Sequence, residues 1–476
     1  MLILSTAGGR GEQGAATTES REPAAAGAAG RGQHVQRGSG AQGRRPGAAR
    51  GVANIRYDHT SVLRSLAGEQ PRQPTPELVA GVLGAALGRT VTEIDIGMTP
   101  SDLPADLGLH LATAWADTVA ISTALWRADV QRRRFLVSAA FSAAAMPGSA
   151  LRWLTSPQAS APTSSGKRQV GRADIDAIRE LTLFYRELDN RLGGGQLRGT
   201  IISYLDDHVS GLLTNGSYKE EAGRQLAATC GELSQLAGWV AHDSGEHVVA
   251  QRYLTQALAY ARHAGDHGLG AEILAAQAHQ ALYLSRPGEA IDLSRAALAA
   301  AVRDGSATLL TECLVMEAHG HAAYDDAQAC STALAAAERT FDRAVREDDP
   351  AWLAYFDEAY LAARMAKCFR DLGEARHAAQ FAQRSLKMDG RYVRGRAFNL
   401  SLLAAAHAAQ DQPEQACAVG RRALDVTVRL SSARSVRYLT DLVRQLQPRA
   451  DVPAVRDFTV EVRERLPAAA ARAGPR

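Results

Sequence analysis

The segment AGWVAHDSGEHVVAQRYLTQALAYA, residues 237–261, contains the pattern that decides the fold. Gly238 and Ala250 stand twelve residues apart, Ala257 follows seven residues later, and the turn signal Ser244-Gly245 separates the first two. Small side chains at these three positions let two antiparallel helices approach closely and let a further pair stack against them. The segment therefore predicts one helix–turn–helix unit of a repeated structure.

The same spacing of small residues returns four more times along the chain. The further trios are Ala278/Ala290/Ala297, Ala318/Cys330/Ala337, Ala363/Ala375/Ala382 and Ala404/Ala416/Ala423. The middle members of successive trios (250, 290, 330, 375 and 416) are 40, 40, 45 and 41 residues apart. This succession predicts an all-α chain in which residues 173–447 form an α-solenoid of helix pairs.

The trios resemble the small-residue positions of the tetratricopeptide (TPR) repeat. The period is nearer 40 than the TPR value of about 34 residues, the aromatic positions are mostly aliphatic, and the closing proline is missing. We therefore expect long, TPR-like pairs. Residues 448–476 are predicted to supply a capping helix and a tail, because the last repeat of a solenoid must cover its apolar face.

Two regions precede the predicted repeats. Residues 1–53 are rich in Gly, Ala, Arg, Gln and Ser, so they cannot bury enough apolar surface to fold, and we expect a disordered N-terminal tail. Residues 99–172 are predicted to contain connector helices, one of them from Leu107 to Trp126, and a flexible linker rich in Ser, Pro and Gly from 155 to 170.

Residues 54–98 form a distinct unit. Asp58 is a good N-cap for a short helix from His59 to Ala67, and Pro76 suits the first turn of a second helix that ends before Gly88. No amphipathic helix precedes Tyr57. The sequence thus predicts two short helices in this unit.

The motif YDHTSVLRSLAG (57–68), followed by LGRTVT (87–92), resembles XRE-type helix-turn-helix regulators of actinobacteria that carry a C-terminal TPR-like domain. In that family the helix that matches residues 59–66 is the recognition helix, and earlier helices position it. Because no amphipathic helix precedes Tyr57, the resemblance implies a partial, truncated helix-turn-helix domain. The resemblance implies control of differentiation or secondary metabolism. It also makes His59, Thr60, Ser61 and Arg64 the candidate DNA contacts, because these side chains offer hydrogen bonds to base edges and phosphates.

Two functions follow as expectations. The first is a cytoplasmic transcriptional regulator whose DNA-binding head is coupled to a TPR-like sensor of a peptide or protein. The second is a protein–protein interaction scaffold that does not bind DNA, because the head is incomplete. A homodimer is left open in both hypotheses, and no membrane association is expected.

The inner groove of a TPR-like solenoid commonly grips an extended peptide with polar side chains of the first helix of each pair. The candidates by position are Gln235, Trp239, His242, Gln277, Gln280, Tyr283, Tyr360, Arg364, Lys367, Asn399 and His407.

The composition narrows the alternatives. The 54 Lys and Arg nearly balance the 51 Asp and Glu, so bulk charge favours neither nucleic acid nor membrane as a partner. The five cysteines form no C-x-x-C and lie in apolar helical patterns, so we expect buried, free thiols. The thirteen histidines lack a zinc motif, and we expect them on the surface or in the groove. No metal, cofactor or enzymatic activity is predicted.

A basic segment in the connector carries one further alternative. RRRFLVS, residues 132–138, followed by an alanine-rich run, resembles a twin-arginine export signal. Such signals act at an N-terminus, whereas about 130 residues precede this one. We therefore expect a packed connector helix with a basic start, and export is the third hypothesis.

Overall fold

The structure is a computed structural model that describes residues 75–87, 106–131, 141–142, 145–156 and 159–466, with positions 91, 96 and 104. The chain divides into two compact units, residues 1–105 and 106–476. In the first unit, helix α1 (Thr75–Leu87) matches the second helix predicted for the partial head. The predicted N-terminal tail, the predicted helix 59–67 and all four candidate DNA contacts lie outside the described residues.

The second unit begins with two connector helices, α2 (Trp115–Gln131) and α3 (Ala145–Thr155). The predicted helix was expected from Leu107, but residues 106–108 form a turn in which Gly108 has a φ of 80°. An α-helix cannot include a residue with a positive φ, so α2 starts later. The basic segment 132–138 lies outside the described residues.

A small sheet follows where the sequence predicted a flexible linker. β1 (Ser164–Ser165) pairs antiparallel with β3 (Gly216–Tyr218), and β2 (Arg168–Gln169) pairs with the other side of β3 in parallel. The Val170 amide donates to the Ser217 carbonyl at 3.0 Å, and the Val170 side chain is buried. The backbone of this segment is hydrogen-bonded to a strand about fifty residues later in the chain, and the local sequence does not predict that pairing.

The repeats are preceded by α4 (Arg172–Leu192), α5 (Arg198–Tyr204) and α6 (Ser210–Asn215), with a π-helical turn at Leu205–Val209 between the last two. Gly193 follows α4 with a φ of 81°, so this glycine ends the helix. The connector α2 packs on α5 and on the first repeat, and Asp129 of α2 forms a salt bridge with Arg198.

Five helix pairs and a capping pair then stack in succession, which confirms the predicted all-α solenoid. The pairs are α7 (Glu220–Asp243) and α8 (His247–Ala264), α9 (His267–Tyr283) and α10 (Pro287–Asp304), α11 (Ala307–Ala323) and α12 (Ala327–Phe341), α13 (Glu358–Asp371) and α14 (Ala375–Ser385), α15 (Val393–Ala409) and α16 (Pro413–Thr427), and the cap α17 (Ala433–Leu446) and α18 (Pro453–Arg465).

The small-residue trios lie in the joints of this stack. Almost all of their members are fully buried, and a Cβ added at Gly238 would lie 2.8 Å from Cγ of Leu254 on the partner helix. Each turn within a pair contains one residue with a positive φ: Gly245, Ser285, Asp325, Gly373 and Asp411. The five cysteines are buried and free, as predicted.

The 45-residue step between the third and fourth pairs has a structural cause. Two short 3₁₀ helices, Arg346–Asp348 and Ala351–Leu353, lengthen the connection between α12 and α13. Trp352 and Phe356 of this connection are buried, and Tyr355 is half-buried beside them. The insertion therefore adds aromatic side chains to the inner side of the stack.

The curvature of the stack brings its two ends together. α4 packs against α15, the Gly195 amide donates to the Ser431 carbonyl at 2.8 Å, and the Ser431 amide donates to the Leu192 carbonyl at 2.7 Å. The first helices of the pairs thus surround a central space, whose wall also includes exposed residues such as Glu187 and Arg391. None of the helices in the described part of the chain has the length and apolar character needed to cross a membrane.

Candidate ligand-binding cavity

The central space contains a cavity of about 460 Å³. Its wall is formed by α4, by the first helices of the repeats (α7, α9, α11, α13 and α15), by the connection before α13 and by the start of α17. A concave site of this volume lies within the usual range for small ligands, about 300–1,000 Å³. This volume favours a compact occupant over a long extended peptide.

One side of the cavity carries two carboxyl groups. Glu272 of α9 and Glu312 of α11 are 5% and 2% exposed, and the Tyr355 hydroxyl lies 3.0 Å from Glu272 Oε2 and 2.5 Å from Glu312 Oε2. The Gln235 amide donates to Glu272 Oε1 at 3.4 Å. Tyr355 can donate its proton to one carboxyl at a time, so the pair has one hydroxyl donor for two acceptors.

Burial raises the pKa of both carboxyl groups. Burial, followed by the neighbouring Glu312 carboxylate, raises the pKa of Glu272 well above its ordinary value, against the opposing effect of Arg186. Burial also raises the pKa of Glu312, although hydrogen bonds from Tyr355 and Tyr360 and the charge of Arg364 oppose the shift. The uncharged form of each carboxyl group is therefore favoured more than it is in water.

The opposite side of the cavity carries cations from α13 and α17. Arg364 and Lys367 lie one turn apart on α13, and Arg434 projects from the start of α17. Arg434 is sandwiched between two rings, with its guanidinium carbon 4.8 Å from the centre of Trp239 and 5.0 Å from that of Phe398. These contacts orient the charge at the cavity wall.

Arg364 is 2% exposed and has an unusual set of partners. Its Nη1 donates to His279 Nδ1 at 3.4 Å, and its Nη2 donates to His319 Nδ1 at 3.3 Å and lies against the Met316 sulfur. Among the described residues, no carboxylate lies within salt-bridge distance of Arg364 or Lys367. A buried cation without a counter-charge is costly, so the site is electrostatically incomplete.

The surroundings respond to this positive charge. Burial, together with Arg364, Arg370 and Arg434, lowers the pKa of Lys367 to about 8. Burial opposes ionisation of Tyr438, but Lys367 and its neighbouring arginines lower the pKa of that phenol to about 8. Burial and the nearby cations lower the pKa of His279 well below its ordinary value. Burial is the largest cause for Lys367 and His279 and the neighbouring cations add to it, whereas for Tyr438 the cations outweigh burial.

A short chain of hydrogen bonds connects the two sides. Arg364 can only donate, so His279 Nδ1 accepts and its Nε2–H donates to the Tyr360 hydroxyl at 3.1 Å. Tyr360 in turn donates to Glu312 Oε1 at 3.4 Å. The cavity therefore presents an acidic side and a basic side that one tyrosine and one neutral histidine separate.

The ends of the stack are joined by a buried charge network beside the cavity, which we term the closing junction (Asp189, Asp243, Arg394 and Arg434). Asp243 Oδ1 accepts from Arg434 Nε at 2.9 Å, and Arg394 Nη1 lies 2.5 Å from Asp189 Oδ1 and 3.5 Å from Asp243 Oδ2. Burial alone would raise the pKa of Asp243, but Arg394 and Arg434 hold it below its ordinary value. Burial raises the pKa of Asp189, against the opposing effect of Arg394.

The structure divides the groove candidates into two sets. Six of the candidates line the cavity: Gln235, Trp239, Tyr360, Arg364, Lys367 and Asn399. The other five do not line it: His242, Gln277, Gln280, Tyr283 and His407.

The second set has other surroundings. Gln277 is fully buried, and the Gln280 amide donates to the His247 carbonyl at 2.7 Å. His242 is buried against Arg434, with 3.2 Å between His242 Nε2 and Arg434 Nη1. Tyr283 packs on the Arg437 guanidinium, and His407 Nδ1 lies 2.8 Å from Gln412 Oε1.

The acidic side of the cavity was missed from sequence, although the repeat carries a signal for it. Glu232, Glu272 and Glu312 stand 40 residues apart, which places a carboxyl at the same position of three successive inner helices. Likewise, His279 and His319 stand 40 residues apart and Arg364 follows after the 45-residue step. Aligning the repeats column by column would have identified both sets of side chains.

Two histidines lie deeper than the expected surface or groove positions, whereas His279 lines the cavity. His242 and His263 are 1% and 2% exposed, because they fill polar gaps between packed helices. His263 Nε2 lies 3.1 Å from the Thr118 hydroxyl of α2. Within the described ranges, no three His, Cys, Asp or Glu side chains converge in an arrangement that could hold a metal ion.

Comparison with known proteins adds one finding. Residues 40–99 match the family model described as the SP15 N-terminal domain. The match overlaps the region in which the sequence predicts a partial helix-turn-helix domain, and it does not reach the repeats. No curated protein matches the chain.

Proposed function

We propose that the chain is a ligand-responsive transcriptional regulator, in which the solenoid binds a peptide or a segment of a protein in its central cavity. The observation that carries the proposal is the cavity itself, because its polar, charged and aromatic side chains converge from seven different helices and the connection before α13. Convergent polar groups in a well-formed concave site favour ligand binding over a purely structural role.

The closing junction is the part of the structure whose contacts a bound ligand would weaken or strengthen. Arg434 belongs both to the cavity wall and to the junction, since it contacts Trp239 on one side and Asp243 on the other. A ligand that draws on Arg434 therefore competes with the contact that holds the ends of the stack together. Such differential binding to two states is what a conformational response requires.

The DNA-binding part of the proposal rests on residues 54–98 and on their resemblance to XRE-type heads. The test is a footprint of the full chain on the DNA upstream of its own gene at moderate salt, repeated with Arg64→Ala. We expect a sequence-specific footprint that Arg64→Ala weakens by about tenfold or more, because a lost base contact is worth about 1–3 kcal/mol. Arg56→Ala, in the same segment but outside the four candidate contacts, is the matched control.

The scaffold is the second candidate, and the incompleteness of the predicted head favours it. If the intact chain binds specific and unrelated DNA equally, with a steep loss of affinity as salt rises, the contact is non-specific and the regulator hypothesis fails. The scaffold would then be tested by fluorescence anisotropy with labelled peptides of about fifteen residues. Cell fractionation would distinguish a cytoplasmic location from export. Light scattering of the full chain would test for a homodimer.

A further inference from the structure

The cavity is built for an occupant that carries both charges. Its basic side holds Arg364 and Lys367 without a carboxylate partner among the described residues, and Arg364 Nε is shielded from solvent with no hydrogen-bond acceptor there. Its acidic side holds Glu272 and Glu312, which no described cation contacts within salt-bridge distance. The basic side therefore lacks an anion and the acidic side lacks a cation, and a ligand could supply both.

The two sides act on each other electrostatically but form no salt bridge, since Arg364 opposes the rise in the pKa of Glu312. Tyr360 and His279 lie between Glu312 and Arg364, and both are occupied by the hydrogen bonds that connect the sides. His279 is neutral, because its Nδ1 accepts from Arg364 and so its single proton is on Nε2. A buried anion and a buried cation held apart in this way are each desolvated without full compensation.

We propose that the cavity binds a short zwitterion, a peptide of a few residues, with its C-terminal carboxylate on Arg364 and Lys367 and its N-terminal ammonium on Glu272 and Glu312. This inference rests on the proposed function and narrows it from peptides in general to short peptides with free ends. The carboxylate accepts from the guanidinium and the ammonium, and the ligand's ammonium donates to the two carboxyl groups.

The volume and the aromatic lining fit such a ligand. About 460 Å³ is at the lower part of the range for small-ligand sites, so the cavity suits a few residues and not a long segment. Trp239, Tyr355 and Phe398 supply aromatic wall to the cavity, against which the body of a peptide would pack.

The first experiment isolates the basic side. The melting temperature of the full chain is measured in sodium sulfate and in sodium chloride of equal ionic strength, for the wild type, Lys367→Met and the control Lys387→Met, whose lysine is exposed. Sulfate also stabilises proteins in general, and all three chains share that effect. We expect an additional upward shift of several degrees in the wild type and in Lys387→Met that Lys367→Met lacks. An equal shift in all three chains would overturn the anion site.

The second experiment tests the zwitterion. Mixtures of tripeptides with free ends, with an amidated C-terminus or with an acetylated N-terminus are compared by native mass spectrometry. We expect free-ended tripeptides to bind at least tenfold more tightly than either capped form. Lys367→Met should remove the preference for a free carboxylate, and Glu272→Gln the preference for a free amine, while Lys387→Met keeps both.

The outcomes separate this inference from the proposed function. Equal binding of the amidated and free forms, or no binding of tripeptides, would overturn the zwitterion even if longer labelled peptides bind. A sulfate effect with no tripeptide binding would also overturn it and leave an inorganic anion as the occupant. Free-ended tripeptides that bind without altering the footprint would support the ligand class and contradict the regulator.

Discussion

The joints between neighbouring repeats and the contacts that face the centre are made from opposite kinds of side chain. In the joints, alanines such as Ala257, Ala297 and Ala337 are fully buried against the next helix. Facing the centre, charged and hydrogen-bonding groups join elements far apart in the chain, as Asp243 does with Arg434, 191 residues away. The comparison teaches that the stack gains its stability from close apolar packing, whereas the closure of its ends depends on a few polar contacts.

The largest effect is expected at the closing junction. Asp243→Ala removes a fully buried carboxylate and leaves Arg394 and Arg434 without it, so the free energy of unfolding should fall by about 3–5 kcal/mol in urea titrations. The control Asp441→Ala removes an exposed carboxylate that pairs with Arg444, and should cost less than about 1 kcal/mol. Equal losses of unfolding free energy in the two variants would show that the closing junction contributes no more than a surface ion pair.

A joint substitution should have a smaller effect. Ala297→Leu inserts a larger side chain where α10 has no free space, and we expect about 1–3 kcal/mol of destabilisation. Ala299→Leu, two residues along the same helix and exposed, should change the unfolding free energy by less than about 0.5 kcal/mol. If the two variants unfold alike by urea titration, the tight-packing account of the joints is wrong.

The carboxyl side of the cavity gives a third measurement. Tyr355→Phe removes the hydroxyl that reaches both Glu272 and Glu312, and should cost about 0.5–1.5 kcal/mol in the free energy of unfolding. Tyr324 is exposed, so Tyr324→Phe is the matched control and should be neutral. A neutral Tyr355→Phe would mean that water replaces the hydroxyl and that this side is wetter than the structure indicates.

The pH dependence supplies the smallest effect. Burial lowers the pKa of His319 to about 4, although its hydrogen bond to Asp371 opposes the shift. As pH falls below about 6.5, the unfolded chain takes up this proton first, so stability decreases towards pH 4. His319→Gln should reduce the loss between pH 6.5 and 5.5 by at most about 1 kcal/mol. Parallel curves for wild type and variant would contradict the assigned pKa.

The same comparison explains which features the sequence predicts. The joints are readable because the size of a side chain is a local property and recurs every 40 residues or so, as in Ala250, Ala290 and Cys330. The cavity lining is harder, because one position along a helix turns a side chain by about 100°. His279 lines the cavity, whereas Gln280, the next residue, turns away and binds the His247 carbonyl.

Other features depended on contacts between distant parts of the chain. The sheet at residues 164–169 needs Gly216–Tyr218 as its central strand, and no local pattern announces that pairing. The site of Tyr355 depends on an insertion that the sequence reveals only as a longer step of 45 residues. The closure of the stack depends on its accumulated curvature, which the sequence pattern of one repeat does not determine.

Fastening the two ends of a superhelix to each other changes how it can respond. An open solenoid stretches by small increments shared among all its repeats. Here the contacts of Asp243 and Ser431 with residues at the opposite end fix the circumference, so no repeat can shift its pitch alone. A large change of curvature therefore requires these contacts to break. We expect the response to be all-or-none, whereas an open solenoid deforms gradually.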